Sequence, residues 1–111
     1  MAETKVLDTL SQYGTVFQIK VIKQLLTDRD FLRNVYDIVD KEYFDNPAHK
    51  WILDEVLRYY HKYHTTVTLE SLQAEVKKIE NEILKISVVT QVKESLKAVN
   101  DDKEYVEQEF S

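Results

Sequence analysis

Two histidines, His61 and His64, lie three residues apart, a spacing that can bring two imidazoles to one side of a helix to bind zinc. On an α-helix their directions differ by only about 60°. The chain has no cysteine, however, and neither a further histidine nor a suitably placed acid lies beside the pair. We therefore expect a solvated pair near a helix end. His49 points toward the apolar side of the same segment, and we expect it to be a partly buried packing residue rather than a general base.

Acidic residues around the stretch DKEYFDNPAH suggest a second possibility, a calcium site. The glycine that lets a calcium loop turn sharply is missing, and so is the one, three, five spacing of ligands. A phosphate loop is also excluded, because the one glycine, Gly14, precedes Thr15 and not a Lys-Ser or Lys-Thr pair. The sequence thus predicts no catalytic, cofactor-binding or metal-binding residue and no enzyme activity for this chain. The acids concerned are Asp37, Asp40, Glu42 and Asp45.

The composition of the 111 residues favours a small soluble helical domain. Hydrophobic residues make up 43% and charged residues 32%, which is typical of a globular protein rather than a disordered one. Sheet-rich folds need many tight turns, and the chain has one glycine and one proline. The N-terminus lacks the apolar core of a signal peptide, and no run reaches the roughly 18 apolar residues of a membrane span. Together with the absence of cysteine, these features predict a cytoplasmic protein.

Charge is distributed unevenly along the chain. Residues 1–99 hold 14 Lys/Arg and 15 Asp/Glu, whereas residues 100–111 hold one Lys and five acids. Neither part is the basic footprint that duplex binding usually needs. A helix-turn-helix DNA binder would need a basic recognition helix, but the segment Leu69–Ile79 carries Glu70 and Glu75 as well as Lys77 and Lys78. We therefore expect no direct nucleic-acid binding.

The periodicity of apolar residues predicts an all-α fold, a compact orthogonal bundle of about six short helices within residues 1–100. A further helix begins at Asp101 or Asp102, within residues 101–111. We expect the fifth and sixth helices to separate somewhere in 80–87, since Ile83 and Ile86 fall off the apolar stripe of Leu84, Val88, Val92, Leu96 and Val99. The first segment covers Ala2–Tyr13, the second begins at Thr15, and the third begins at Asp28 or Asp30. The fourth covers Pro47–Tyr63, the fifth begins at Thr68, and the sixth includes residues as far as Val99.

Trp51 breaks the otherwise clear pattern of the segment Pro47–Tyr63. It projects on the polar side of the helix, where an exposed aromatic residue is unexpected. Tryptophan and arginine are enriched where proteins meet, so this face is a candidate partner interface. The alternative is that the first helix of the same chain covers the indole. The candidate interface consists of Trp51, Lys50, Asp54, Glu55 and Arg58.

Three stretches within Phe17–Val76, about 60 residues, resemble the N-terminal domain of DnaB-type replicative DNA helicases, especially the bacteriophage versions. FQIKVIKQLLTDRDFL is similar to that family's opening helix and its following Leu-Asp-x-x-x-Phe. VDKEYFDNPAHKWILDEVLRYYHKY is similar to its loop with Phe-x-x-Pro-Ala-His-x-x-Ile and the long helix after it. TTVTLESLQAEV is similar to the next turn and helix. The phrase from Tyr43 to Ile52 is the most specific part.

The resemblance implies a non-catalytic collar domain. Helicases of this family are hexameric rings whose ATP-driven motor is a RecA-like C-terminal domain. Their N-terminal domain is a helical globule followed by a helical hairpin, and it contacts neighbouring subunits, primase and the helicase loader. Here the hairpin would start near Asp101, so residues 101–111 would be its truncated beginning, or a linker, in a chain cut from a longer protein. The parent would be a hexamer in the host cytoplasm, and this chain a monomer or weak dimer.

An alternative function comes from a different class of protein. The same helical fold could belong to a free-standing phage adaptor or inhibitor that binds host replication proteins. The length of the reading frame would separate the two: a stop codon after Ser111 favours the adaptor, and several hundred further codons with a phosphate loop favour the helicase.

Overall fold

Strong local start signals divide the chain into helices. The computed structural model describes residues 14–97, which form five helices, one 3-10 turn at Lys41–Tyr43 and no strand. The predicted all-α class is thus confirmed for this range, which contains five helices where about six were expected over residues 1–100. The predicted segments at Ala2–Tyr13 and from Asp101 or Asp102 lie outside the described residues. The helices are α1 (Gly14–Thr27), α2 (Arg29–Val35), α3 (Pro47–Tyr63), α4 (Leu69–Lys77) and α5 (Glu82–Lys97).

Four helices begin at residues whose side-chain oxygens accept a backbone N–H of the first turn. Such a cap stabilises a helix by about 1 kcal/mol. Asp28, and not Asp30, caps α2, and Pro47 follows the cap of α3 where its missing N–H costs nothing. The caps are Asp28 (to Phe31 N, 3.0 Å), Asn46 (to Ala48 N, 2.8 Å), Thr68 (to Ser71 N, 3.1 Å) and Asn81 (to Leu84 N, 3.0 Å).

Two residues with positive φ mark changes of chain direction. Gly14 begins α1 with φ +75°, a conformation that glycine adopts without steric cost. His64 ends α3 in the left-handed conformation with φ 58°, and its N–H donates to the carbonyl of Tyr60. Because His64 adopts this conformation, the chain turns at the end of α3 and enters the short connection that leads to α4.

The core lies where α1, α3 and α5 meet. α1 contacts α2, α3 and α5, and α5 also contacts α3 and α4, so α1 is a central helix of the bundle. Val21, Ile22 and Leu25 of α1 are almost completely buried against the inner side of α3. The inner residues of α3 with no or almost no exposure are Ala48, His49, Ile52, Leu53 and Val56.

The inner face of α5 differs from the predicted stripe. Val88 and Ser95 are completely buried, whereas Leu96 is 39% exposed. The reason is geometric: steps of four residues drift by about 40° around a helix, while a step of seven returns to within about 20°. Val99 lies outside the described residues. The break before α5 spans residues 78–81 and not 82–87, so Ile83 and Ile86 lie on α5 itself.

Candidate functional site

The outer side of α3 carries all five residues of the predicted interface. α3 has its inner side in the core, and the polar residues on its other side face outward. Asp54 and Arg58 are exposed, and Lys50 and Glu55 are partly buried. The structure therefore gathers these residues along one helix, over about two turns, as the periodicity of the sequence indicated.

Trp51 is half-buried and packs against the rim of the hydrophobic core, so the expectation of an exposed indole is wrong. Its direction is about 130° from the centre of the buried side of α3. The side chain is long enough to reach back to the core from there. A residue with an apolar body on the rim and remaining accessible surface is suited to contact a partner without leaving its own packing. The alternative cover, the segment Ala2–Tyr13, lies outside the described residues.

Arg58 links α3 to α4 through an ion-pair chain. Its guanidinium contacts the carboxylate of Glu55 one turn earlier, and its Nη2 lies 3.4 Å from Glu75 Oε2 on α4. Lys78 Nζ lies 3.2 Å from the other oxygen of Glu75. The hydrogen bond and charge of Glu55, helped by Glu75, raise the pKa of Arg58. Arg58 is therefore a brace between two helices as well as a surface charge.

Sequence reasoning missed Glu75 as part of this site. Glu75 was noted only as an acid on a helix, and nothing in a single sequence indicates that residues 58 and 75 meet. The Glu-to-Arg spacing of three from Glu55 to Arg58 does predict the local pair. The contact with Glu75 depends on how α3 and α4 pack.

His49 is the most deeply buried titratable group of α3, completely rather than partly buried. Its Nε2 lies 2.7 Å from Gln91 Oε1 on α5, and its Nδ1 has no hydrogen-bond partner among residues 14–97. Desolvation lowers the pKa of His49, and the bond to Gln91 opposes that shift. Since the amide oxygen of Gln91 can only accept, Nε2 donates to it, and the lowered pKa favours the neutral ring at pH 7. Gln91 was not singled out from the sequence, because a lone polar residue on a mixed helix carries no signal.

A cavity of about 350 Å³ opens beside His49, between the start of α1 and the start of α3. Gln18, which is almost completely buried, lines it and donates from Nε2 to Asp45 Oδ2 at 3.5 Å. This long bond joins α1 to the loop before α3. Its lining residues are Gly14, Gln18, Asp45, Asn46, Pro47 and His49.

Several residues that the sequence offered as possible metal ligands have other roles in the structure. His61 Nδ1 lies 3.1 Å from the hydroxyl of Tyr36, whereas His64 is the C-cap of α3, and both are exposed. Asp40 accepts from the N–H of Glu42 at 2.9 Å and so starts the 3-10 turn. Among residues 14–97, no group of three or more His, Asp or Glu side chains is arranged to hold a metal ion. In the same range, no helix combines the length and apolarity that crossing a bilayer requires.

Comparison of the chain with protein families, with curated proteins and with solved structures finds no match. A proposal for the function of the chain therefore rests on its own residues and their geometry.

Proposed function

We propose that this chain is the non-catalytic N-terminal collar domain of a phage-type replicative DNA helicase. In this role it contacts neighbouring subunits of the ring, primase or a helicase loader in the host cytoplasm, and it needs no cofactor of its own. The parent protein would supply ATP hydrolysis from a separate domain.

The phrase from Tyr43 to Ile52, which carries the resemblance, is the observation that supports the proposal most. Its apolar members Phe44, Ala48 and Ile52 are buried in the core, and Asn46 and Pro47 start α3. The phrase is therefore a structural unit: a turn, a cap and the first turns of the helix that presents the candidate interface. The resemblance at these positions therefore concerns the way in which the domain folds.

The mechanism is surface complementarity on the outer side of α3. Trp51 offers an aromatic surface at the rim of the core, flanked by the charges of Lys50 and Asp54. Interfaces often depend on one such aromatic anchor surrounded by polar contacts. Arg58, paired with Glu55 and Glu75, bridges α3 and α4. Such a bridge favours one arrangement of the two helices before a partner arrives, which lowers the entropic cost of binding.

An NMR titration of the isotope-labelled 111-residue chain tests the proposal. Primase and helicase loader from the same replication system are added in turn. We expect backbone resonances of residues 50–58 to shift or broaden with at least one of them, and those of α2, on another part of the surface, to stay in place. If neither partner nor the full-length ring perturbs the spectrum, the collar role is wrong.

A further inference from the structure

The outer face of α5 exposes several large apolar side chains. Ile83 is 83% exposed and Ile86 64%, and Val89 and Leu96 on the same helix are also accessible. On an α-helix Ile86 points about 160° away from Val88, which is completely buried. α5 thus has one apolar side toward α1 and α3 and a second apolar surface toward solvent, and contiguous exposed apolar surface is a common feature of protein contact sites.

Thr90 lies between these apolar residues without interrupting them. Its hydroxyl donates to the carbonyl of Ile86 at 2.9 Å, so its polar group is already satisfied within the helix. A partner that covers Thr90 would meet its methyl group and would leave no unpaired donor, which avoids the usual penalty for burying a hydroxyl.

Exposed charges give the two ends of this surface opposite signs. Glu80 and Glu82 lie at its N-terminal end, and Lys93 and Lys97 at its C-terminal end, all exposed. None of the four forms an ion pair with another residue in the described range. Two further residues do not follow this separation of charge. Lys85, which is partly buried, lies nearer the acidic end, and Glu94, which is exposed, lies nearer the basic end.

We propose that α5 is a self-association surface on which α5 of a second copy packs antiparallel. A two-fold interface must be complementary to itself, and an antiparallel pair meets this condition because Glu82 of each copy faces the lysines at the other copy's C-terminal end. A parallel pair would place acid on acid and lysine on lysine. Antiparallel helix dipoles add to the preference. The inference adds a specific contact between copies to the proposed function, and it stands without that function because it uses α5 alone.

The size of this surface predicts a weak dimer. A helix of 16 residues is about 24 Å long, and one such pair buries less than the roughly 1,200 Å² of a typical stable complex. Association should therefore become visible by sedimentation at concentrations from tens of micromolar to about 1 mM.

Sedimentation velocity of the full chain over that range, with two matched substitutions, is the first test. In a two-fold dimer each copy contributes one Ile86, so the substitution removes two isoleucines from the interface, and each changes the dissociation constant by about tenfold. Ile86→Glu should therefore raise the dissociation constant of the dimer by about a hundredfold. Ile38→Glu is the control, since Ile38 is 60% exposed on another part of the surface, and it should leave the constant unchanged. Circular dichroism confirms that both variants fold.

Charge exchange tests the orientation. Glu82→Lys alone and Lys97→Glu alone should each weaken association, while an equimolar mixture of the two variants should associate at least as well as the original chain. A chain that stays monomeric at about 1 mM, or that responds equally to Ile86→Glu and Ile38→Glu, would overturn the proposal. If the chain is monomeric but primase or loader perturbs α5, the surface belongs to that partner instead. If primase and loader do not bind α3 but the chain still associates with itself, only the collar role is wrong.

Discussion

His49 Nε2 and Gln91 Oε1 lie 2.7 Å apart and join the beginning of α3 to the middle of α5. The bond is a polar contact between two helices whose facing sides also carry buried apolar residues such as Ile52 and Val88. It fixes the ring of His49 in one tautomer, with Nε2 as the donor.

Removing this bond should destabilise the domain. Gln91→Ala leaves a completely buried imidazole without a partner, and an unsatisfied buried donor costs about 1–3 kcal/mol. Urea denaturation followed by circular dichroism measures the loss. Gln73→Ala, an exposed glutamine on α4, is the control and should change the free energy of unfolding by no more than about 0.5 kcal/mol. Equal effects of the two substitutions would show that the bond contributes nothing.

The stability of the domain should fall in mild acid because of His49. Burial lowers its pKa below the ordinary value of 6.5, so the unfolded chain binds a proton more readily than the folded one. The resulting stability is complete above 6.5 and is lost as the pH falls from there through the lower folded pKa. The urea midpoint, measured from about pH 8 to about pH 5, should therefore decline, and His49→Gln should decline less steeply. An unchanged slope in the variant would rule out His49 as the cause.

The local features of this fold could be read from the sequence, and the non-local ones could not. The helix starts at Pro47 and after Thr68 could be predicted because the signals that begin a helix depend on residues within one turn. The pairing of Arg58 with Glu75, and of His49 with Gln91, depends on how separate helices pack, which no spacing within one helix encodes. Trp51 shows a second limit: direction on a helix does not account for the reach of a long side chain.

Arg58→Ala tests the brace between α3 and α4. The side chain is 65% exposed, and exposed ion pairs contribute about 0.2–1 kcal/mol, so the loss should fall in that range and shrink at high salt. Arg33→Ala is the matched control, because Arg33 pairs only loosely with Asp30, at 4.0 Å on exposed α2. Thermal denaturation at low and high salt measures both. A loss for Arg58→Ala no larger than that of the control would show that the brace has no energetic role.

Trp51→Ala should separate binding from folding. The indole is half-buried, so its removal should cost about 1–2 kcal/mol, less than the 3–5 kcal/mol typical of a core tryptophan. Leu53→Ala, in the core of the same helix, should cost about 2–5 kcal/mol. Urea denaturation ranks the two variants. A loss for Trp51→Ala as large as that for Leu53→Ala would identify the indole as a core residue of the monomer.

The affinity of the 111-residue chain for primase or loader, measured by calorimetry with and without Trp51→Ala, tests the central claim most directly. If the outer side of α3 is the contact surface, the original chain binds one of these partners, Trp51→Ala weakens binding by about tenfold or more, and Ile38→Ala has no effect. Undetectable binding to both partners, or equal affinity of the original chain and Trp51→Ala, would contradict it.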